Sequence, residues 1–301
     1  MKVMDASDLY DPEFRKLIKS KKPTVIIPVG STEQHGAHLP ITTDSDIVTE
    51  VASRLAKKCG FIVFPTISYG VSKEHDPFFN VSLESNTLWN IIGDIDRSVV
   101  KNKLKSVIIL NGHHGNALSL KLAERKTILQ RPTRMRKIRF YSYWHFMNHE
   151  FDHAGFVETS IMLAISDKVK MKKAKKGLIT KGLSKKEIQR INKLSTEQAG
   201  FPQVAKNGVW GDPTGATKKD GQKFLAEIVR NFFPSFFVAP VGSPHTPFFA
   251  TLGNPPGFVE SLLILCISLL LKPFVIKPFF AFFILTLSEI ASIIEVSTNP
   301  A

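Results

Sequence analysis

The chain has 301 residues, a formal net charge of +14 and two cysteines, Cys59 and Cys266. That length suits one α/β domain of roughly 150–250 residues with an appendage. Two distant cysteines exclude a disulfide framework and a structural thiolate zinc site, and the opening residues lack the apolar run of a secretory signal, so a cytoplasmic location is expected. All the lysines but Lys272 and Lys277 are scattered over residues 1–232. Their densest stretch, Lys168 to Lys193, has no interleaved aromatics, so no nucleic-acid partner is expected.

The apolar, β-branched run Val25–Val29 reads as a buried strand ending at Gly30. Ser45 to Lys58 has helical spacing in Ile47, Val48, Val51 and Leu55. Phe61–Ile67 reads as a second strand, and Asn86 to Val100 as a helix with Leu88, Ile91, Ile92 and Ile95 on its apolar side. Ser106–Leu110 is a third strand, followed by a helix that Asn116 is placed to cap and that runs to about Gln130. Ile138–Tyr143 is a fourth strand, and Thr159 to Ile165 a helix. Gly177 to Gly200 reads as a lysine-rich excursion or lid, Asn207–Thr217 as a loop, and Lys218 to Phe232 as the last helix of a domain spanning residues 1–232. The alternation predicts a mostly parallel sheet covered by helices on both faces, a three-layer α/β/α fold with ligands bound beyond the carboxyl ends of the strands. Residues 233–301 form an apolar tail. Its stretch 258–294 is too apolar to sit exposed, and lipid, a subunit contact or its own domain would each bury it. A homo-oligomer or a membrane contact through the tail are the partners this leaves open.

Three segments carry chemistry. Gly30-Ser31-Thr32-Glu33-Gln34-His35-Gly36 follows the first strand, and in extended chain Glu33 and His35 point to one side. Asp44 comes nine residues after His35, at a helix start, where it is able to bridge two metals. Asn111-Gly112-His113-His114-Gly115-Asn116 ends the third strand. His153-Ala154-Gly155-Phe156-Val157-Glu158 leads into the next helix. Taken alone, the first reads more simply as loop polarity and helix-end charge, the second as a glycine-rich turn that leaves its histidines unexplained, and the third as helix-end charge with a surface histidine. Three of them at strand ends of one sheet point to a single oxygen- and nitrogen-rich site suited to Zn, Mn or Fe.

These segments, with Pro28 to Pro40, Gly70-Val71-Ser72-Lys73-Glu74-His75, Glu158-Thr159-Ser160 and Gly211-Asp212-Pro213, resemble the creatininase family over about residues 22–232. The resemblance implies a two-metal hydrolytic site acting on a small amide or formamide. Glu33 and His113 would hold one ion, His35 and Glu158 the other, and Asp44 would bridge them. His153 would serve as acid/base, and Ser72, His75 and His114 as substrate contacts. Creatinine-hydrolysing members carry a glutamate where this chain has Gly115, which makes Glu158 the expected fifth ligand. Asp76-Pro77-Phe78-Phe79 stands where the family usually has Phe-Pro-Gly-Thr. That second departure alters the substrate pocket, whereas the missing glutamate, the basic body suited to a phosphorylated substrate and the lack of a secretory signal favour deformylation of a formamidopyrimidine ribonucleotide on a flavin or deazaflavin route. Creatinine hydrolysis and a non-catalytic, membrane-tethered binding protein are the alternatives.

Overall fold

A computed structural model describes residues 4–238, apart from 22, 105, 131–137 and 151. The chain runs through β1 (Met4–Asp5), α1 (Asp11–Lys21), β2 (Thr24–Val29), α2 (Thr43–Cys59), β3 (Ile62–Val63), α3 (Ser85–Lys101), β4 (Ser106–Asn111), α4 (Ala117–Gln130), β5 (Ile138–Ser142), α5 (Phe156–Ile165), α6 (Lys185–Ser195), α7 (Phe201–Val204) and α8 (Lys218–Val238). The strands form one parallel sheet in the order β1-β3-β2-β4-β5. The α/β/α architecture expected from the alternation is the one observed.

Both faces of the sheet are covered, which is why β2 and β4 read as unbroken apolar runs. Side chains alternate between two cores. Ile26, Ile108 and Leu110 pack with Ile47, Val51 and Leu55 of α2, Ile161 of α5 and Leu225 and Ile228 of α8. Val25, Ile27, Val29, Val107 and Ile109 face the other way, onto Leu88 and Ile92 of α3, Leu120 of α4, and Phe14, Leu17 and Ile18 of α1.

Four details differ from the sequence expectation. Strand β3 holds two residues rather than seven because, after Phe64 N–H donates to Ile26 O at 2.9 Å, the next donor due from β2 is Pro28, which has no N–H. Beyond it the chain still tracks β2, with Ile67 N–H donating to Pro28 O at 2.9 Å. The N-terminal β1 and α1 had no counterpart in the sequence reading, although Phe14, Leu17 and Ile18 have helical spacing. The lysine-rich excursion contains a regular helix, α6, opened by a capping box between Ser184 and Glu187. Helix α8 runs on to Val238, six residues past the expected end. The apolar stretch 258–294 lies outside the described residues. Among those described, no helix is long and apolar enough to cross a membrane.

Candidate metal centre

The carboxyl ends of β2 and β4 lie side by side, Val29 opposite Asn111. Gly30 and Gly112 follow them and let the first turn of α2 rest on the strand ends. A Cβ on Gly30 would come within 2.6 Å of Ser45 Cα, and one on Gly112 within 2.8 Å of Asp44 O and 2.6 Å of Val48 Cβ. This close approach delivers Asp44 between the two strand-end loops. Ser31 Oγ donates to Asp44 Oδ2 at 2.7 Å and Ser45 Oγ to Ser31 O at 2.9 Å, so loop and helix are tied on both sides.

Asn116 does not cap α4. Its Nδ2 donates to Gly30 O at 2.9 Å and its Oδ1 accepts from Val71 N–H at 2.9 Å. It joins the loops after β2, β3 and β4 into one platform. Asn111 fixes the His113 backbone from both directions, donating to His113 O and accepting from His113 N–H.

Glu33, His35, Asp44, His113 and Glu158 meet on this platform. Glu33, Asp44 and His113 offer ligand atoms within 4.8 Å of one another, and so do His35, Asp44 and Glu158, with Asp44 common to both sets. His35 Nδ1 lies 3.1 Å from the backbone oxygen of Glu33, and His113 Nε2 lies 2.8 Å from that of Val71. A carbonyl only accepts, so each of those nitrogens carries the proton. In the neutral rings the lone pairs then sit on His35 Nε2, 3.1 Å from Asp44 Oδ1, and His113 Nδ1, 2.9 Å from Asp44 Oδ2. The two imidazoles thus aim unprotonated nitrogens at opposite oxygens of one carboxylate.

The cluster buries several ionisable groups together. Glu33, Asp44 and Glu158 are buried almost completely. Both Glu33 oxygens and Glu158 Oε1 accept no hydrogen bond of good geometry, although imidazole nitrogens stand at ion-pair distance from Glu33. Burial works against the Glu33 carboxylate, but His113 and His75 outweigh it and hold its pKa at about 2. Burial opposes the His35 imidazolium too, and Asp44 and Glu158 overcome it, raising His35 to about 10. Burial, with Asp44 and Asp152 close by, pushes the Glu158 carboxyl well above the carboxylate range. Without metal, protons neutralise the cluster. Orphaned carboxylate oxygens and pre-aimed imidazoles could hold a divalent metal ion in place of those protons.

The other expected residues fall at graded distances. His153 is buried, its Nδ1 3.9 Å from Glu33 Oε1 and its ring centroid 4.3 Å from that of His35. Burial, then the charges of His35 and His75, keep it neutral. His75 is buried, with Nε2 3.0 Å from Glu33 Oε1. Ser72 Oγ is buried 3.4 Å from His113 Nε2. His114 turns to the surface, its ring 6.2 Å from that of Trp144.

Sequence reasoning assigned no role to Gln34, Glu74 or Phe201. Gln34 Oε1 accepts from Gly36 N–H, which turns the amide nitrogen toward His75 Nδ1 at 3.0 Å and His153 Nε2 at 3.1 Å. Glu74 Oε1 stands 3.5 Å from His113 Nε2 and within 2.3 Å of where a Cβ on Gly115 would be. Val71 O is within 2.2 Å of the same point, so no side chain fits at position 115 in this backbone. The Phe201 ring lies 4.5 Å from His75 and 4.8 Å from His153. Gln34 and Glu74 lie inside the motifs already quoted. Phe201, in the first turn after the lysine-rich excursion, carries no local signal.

The family model for creatininase, described as creatinine amidohydrolase, matches residues 7–234. A mycofactocin precursor peptide peptidase from Mycobacterium ulcerans is 32% identical over 226 residues, covering 70% of this chain and 84% of the relative. A 2-amino-5-formylamino-6-ribosylaminopyrimidin-4(3H)-one 5'-monophosphate deformylase from Methanosphaera stadtmanae is 42% identical over 96 residues, 31% of this chain and 41% of that protein. A solved manganese form of creatininase superposes with a TM-score of 0.66 at 22% identity, covering 79% of this chain and 100% of the other, and shares the fold. The family model alone spans well over half of the sequence, and the chain belongs to the creatininase family.

Proposed function

We propose that the chain hydrolyses the C–N bond of a small amide at two divalent ions, one held by Glu33, Asp44 and His113 and the other by His35, Asp44 and Glu158. Members of the family are metal-dependent hydrolases of C–N bonds, and this chain is one of them. The observation that carries the two-ion reading is the shared Asp44, with orphaned carboxylate oxygens on either side of it. Two ions in such a site supply Lewis acidity to a carbonyl oxygen and acidify a water molecule.

The protein's own part is orientation and proton transfer. The Glu33 and Val71 carbonyls hold the imidazole tautomers, and Ser31 holds Asp44. His153, neutral and beside Glu33, takes a proton and returns it to the departing amine. His153→Ala should keep both ions and lose roughly 10²–10⁴-fold in turnover. Loss of an ion with that change would make His153 a ligand instead.

For the substrate, the reading is a formamide on a pyrimidine ribonucleotide. It is supported by the likeness to the deformylase over 96 residues and by a position 115 closed to the glutamate of the creatinine-hydrolysing pattern. A second reading, cleavage of an amide in a modified peptide, is favoured by the longer match to the peptidase over 226 residues. Formate release from a formamidopyrimidine nucleotide, measured beside amine release from peptides and from creatinine, separates them. Turnover of peptide without formate release would overturn the first reading.

A further inference from the structure

Glu158 is held in a small ring of backbone and side chain formed by residues 152–158. Asp152 Oδ2 accepts from Val157 N–H at 2.8 Å and Asp152 Oδ1 from Glu158 N–H at 3.3 Å. These are the second and third residues of α5, whose N–H groups have no partner within the helix. The ring closes through Ala154 N–H, which donates to Glu158 Oε2 at 2.7 Å. Ala154 adopts a left-handed conformation, φ 51°, and is fully buried. A non-glycine residue holds such a conformation only where its surroundings impose it. The ring also leaves Glu158 Oε1 as the uncommitted oxygen.

The pocket around Asp152 is shaped for that carboxylate. A Cβ on Gly155 would stand 2.3 Å from Asp152 Oδ2 and 2.7 Å from Trp210 O, and one on Gly211 3.3 Å from Asp152 Oδ2. The segment carrying Gly211 is fastened to the ring, because His153 and Trp210 exchange both backbone hydrogen bonds, at 3.1 and 2.8 Å. The residues assigned to the other ion come from the loop after β2, from α2 and from the loop after β4. None of them belongs to this ring.

We infer that Asp152 is a positioning residue for one of the two metal positions, fixing Glu158 through the α5 N-terminus while leaving the Glu33–Asp44–His113 position to its own supports. The inference rests on the two-ion reading above. Partners of this kind, one step removed from the ion, commonly change metal affinity by roughly 10–100-fold.

The test is a Mn²⁺ titration of the full-length metal-free protein, by calorimetry and by electron paramagnetic resonance, which distinguishes a coupled ion pair from an isolated ion. Circular dichroism monitors the fold. Wild type that fails to take up two ions refutes the two-ion reading itself. With two ions in wild type, Asp152→Ala should weaken one ion about 10–100-fold, keep the other, and replace the pair signal by an isolated-ion signal. Glu158→Gln should give the same pattern. Asp152→Asn, which keeps one acceptor oxygen, should fall between Asp152→Ala and wild type. Equal weakening of both ions, or no weakening of either, overturns the inference. Should Asp152→Ala fail to fold, Asp152→Asn decides by the same criterion.

Discussion

Metal loading should expel protons, and the structure sets the scale. In the metal-free cluster His35 is raised to about 10, because Asp44 and Glu158 more than offset its burial. An ion bound at His35 Nε2 has to displace that proton. At pH 7 the displacement costs about 4 kcal/mol, at about 1.4 kcal/mol per pH unit, a roughly thousandfold reduction in apparent affinity. His113 is also raised, with Glu33 and Asp44 overcoming its burial, and Glu158 is raised by burial itself, so His35 gives a lower bound. Affinity for Zn²⁺, measured with a chelator competitor, should rise at least about tenfold per pH unit between pH 7 and 9. Calorimetry in buffers of different ionisation enthalpy should count at least one released proton per chain. The sign for folding is opposite in the metal-free protein. A histidine raised from 6.5 to about 10 contributes stability that is complete below pH 6.5 and lost as pH climbs through about 10. The metal-free melting temperature should therefore fall over that window while the increment given by metal grows. Affinity unchanged between pH 7 and 9, with no proton released, would refute the charge balance drawn for the cluster.

Three further outcomes follow from packing. Gly112→Ala places a methyl group 2.8 Å from Asp44 O and 2.6 Å from Val48 Cβ, so α2 must shift. It should cost about 1–3 kcal/mol and, on the two-ion reading in which Asp44 is shared, weaken both ions; denaturant unfolding and metal titration check this. Leu225→Ala empties a fully buried site among α2, α5 and α8 and should cost about 2–5 kcal/mol in the same unfolding assay. A chain ending after Val238, where α8 stops, should purify without detergent and bind as many ions as the full chain. Failure of that shortened chain to fold would show that residues 239–301 belong to the domain.

The central strands were legible because burial on both faces leaves no polar alternation, as in Val25–Val29 and Val107–Leu110. The candidate ligands were legible because they cluster at the ends of those strands. Contacts between distant segments were not. Asn116 fits the local rule for a helix cap, yet bonds to Gly30 O and Val71 N–H take its side chain away from α4. Strand β3 looks seven residues long by composition, but its partner strand offers Pro28 where the ladder needs a donor. Phe201 reaches His75 and His153 only because the chain folds back after α6, and nothing near residue 201 announces it. Asp152 precedes His153 in sequence, but its role depends on the left-handed turn at Ala154, which composition does not reveal.

The platform that gathers Glu33, Asp44, His113 and Glu158 also dictates when the centre comes into being during synthesis. No short stretch of the chain contains a complete ligand set. The first set closes only once β4 lies beside β2, and the second only when α5 arrives after β5. Helix α5 is in turn pressed down by α8, where a Cβ on Gly221 would stand 1.9 Å from Ser160 O. A nascent chain released up to α7 therefore has every candidate ligand outside the ribosome and still lacks the helix that packs on α5 behind Glu158. On the two-ion reading, the His35–Asp44–Glu158 position thus depends on parts of the chain far apart in sequence, and its geometry is complete only when α8 packs on α5.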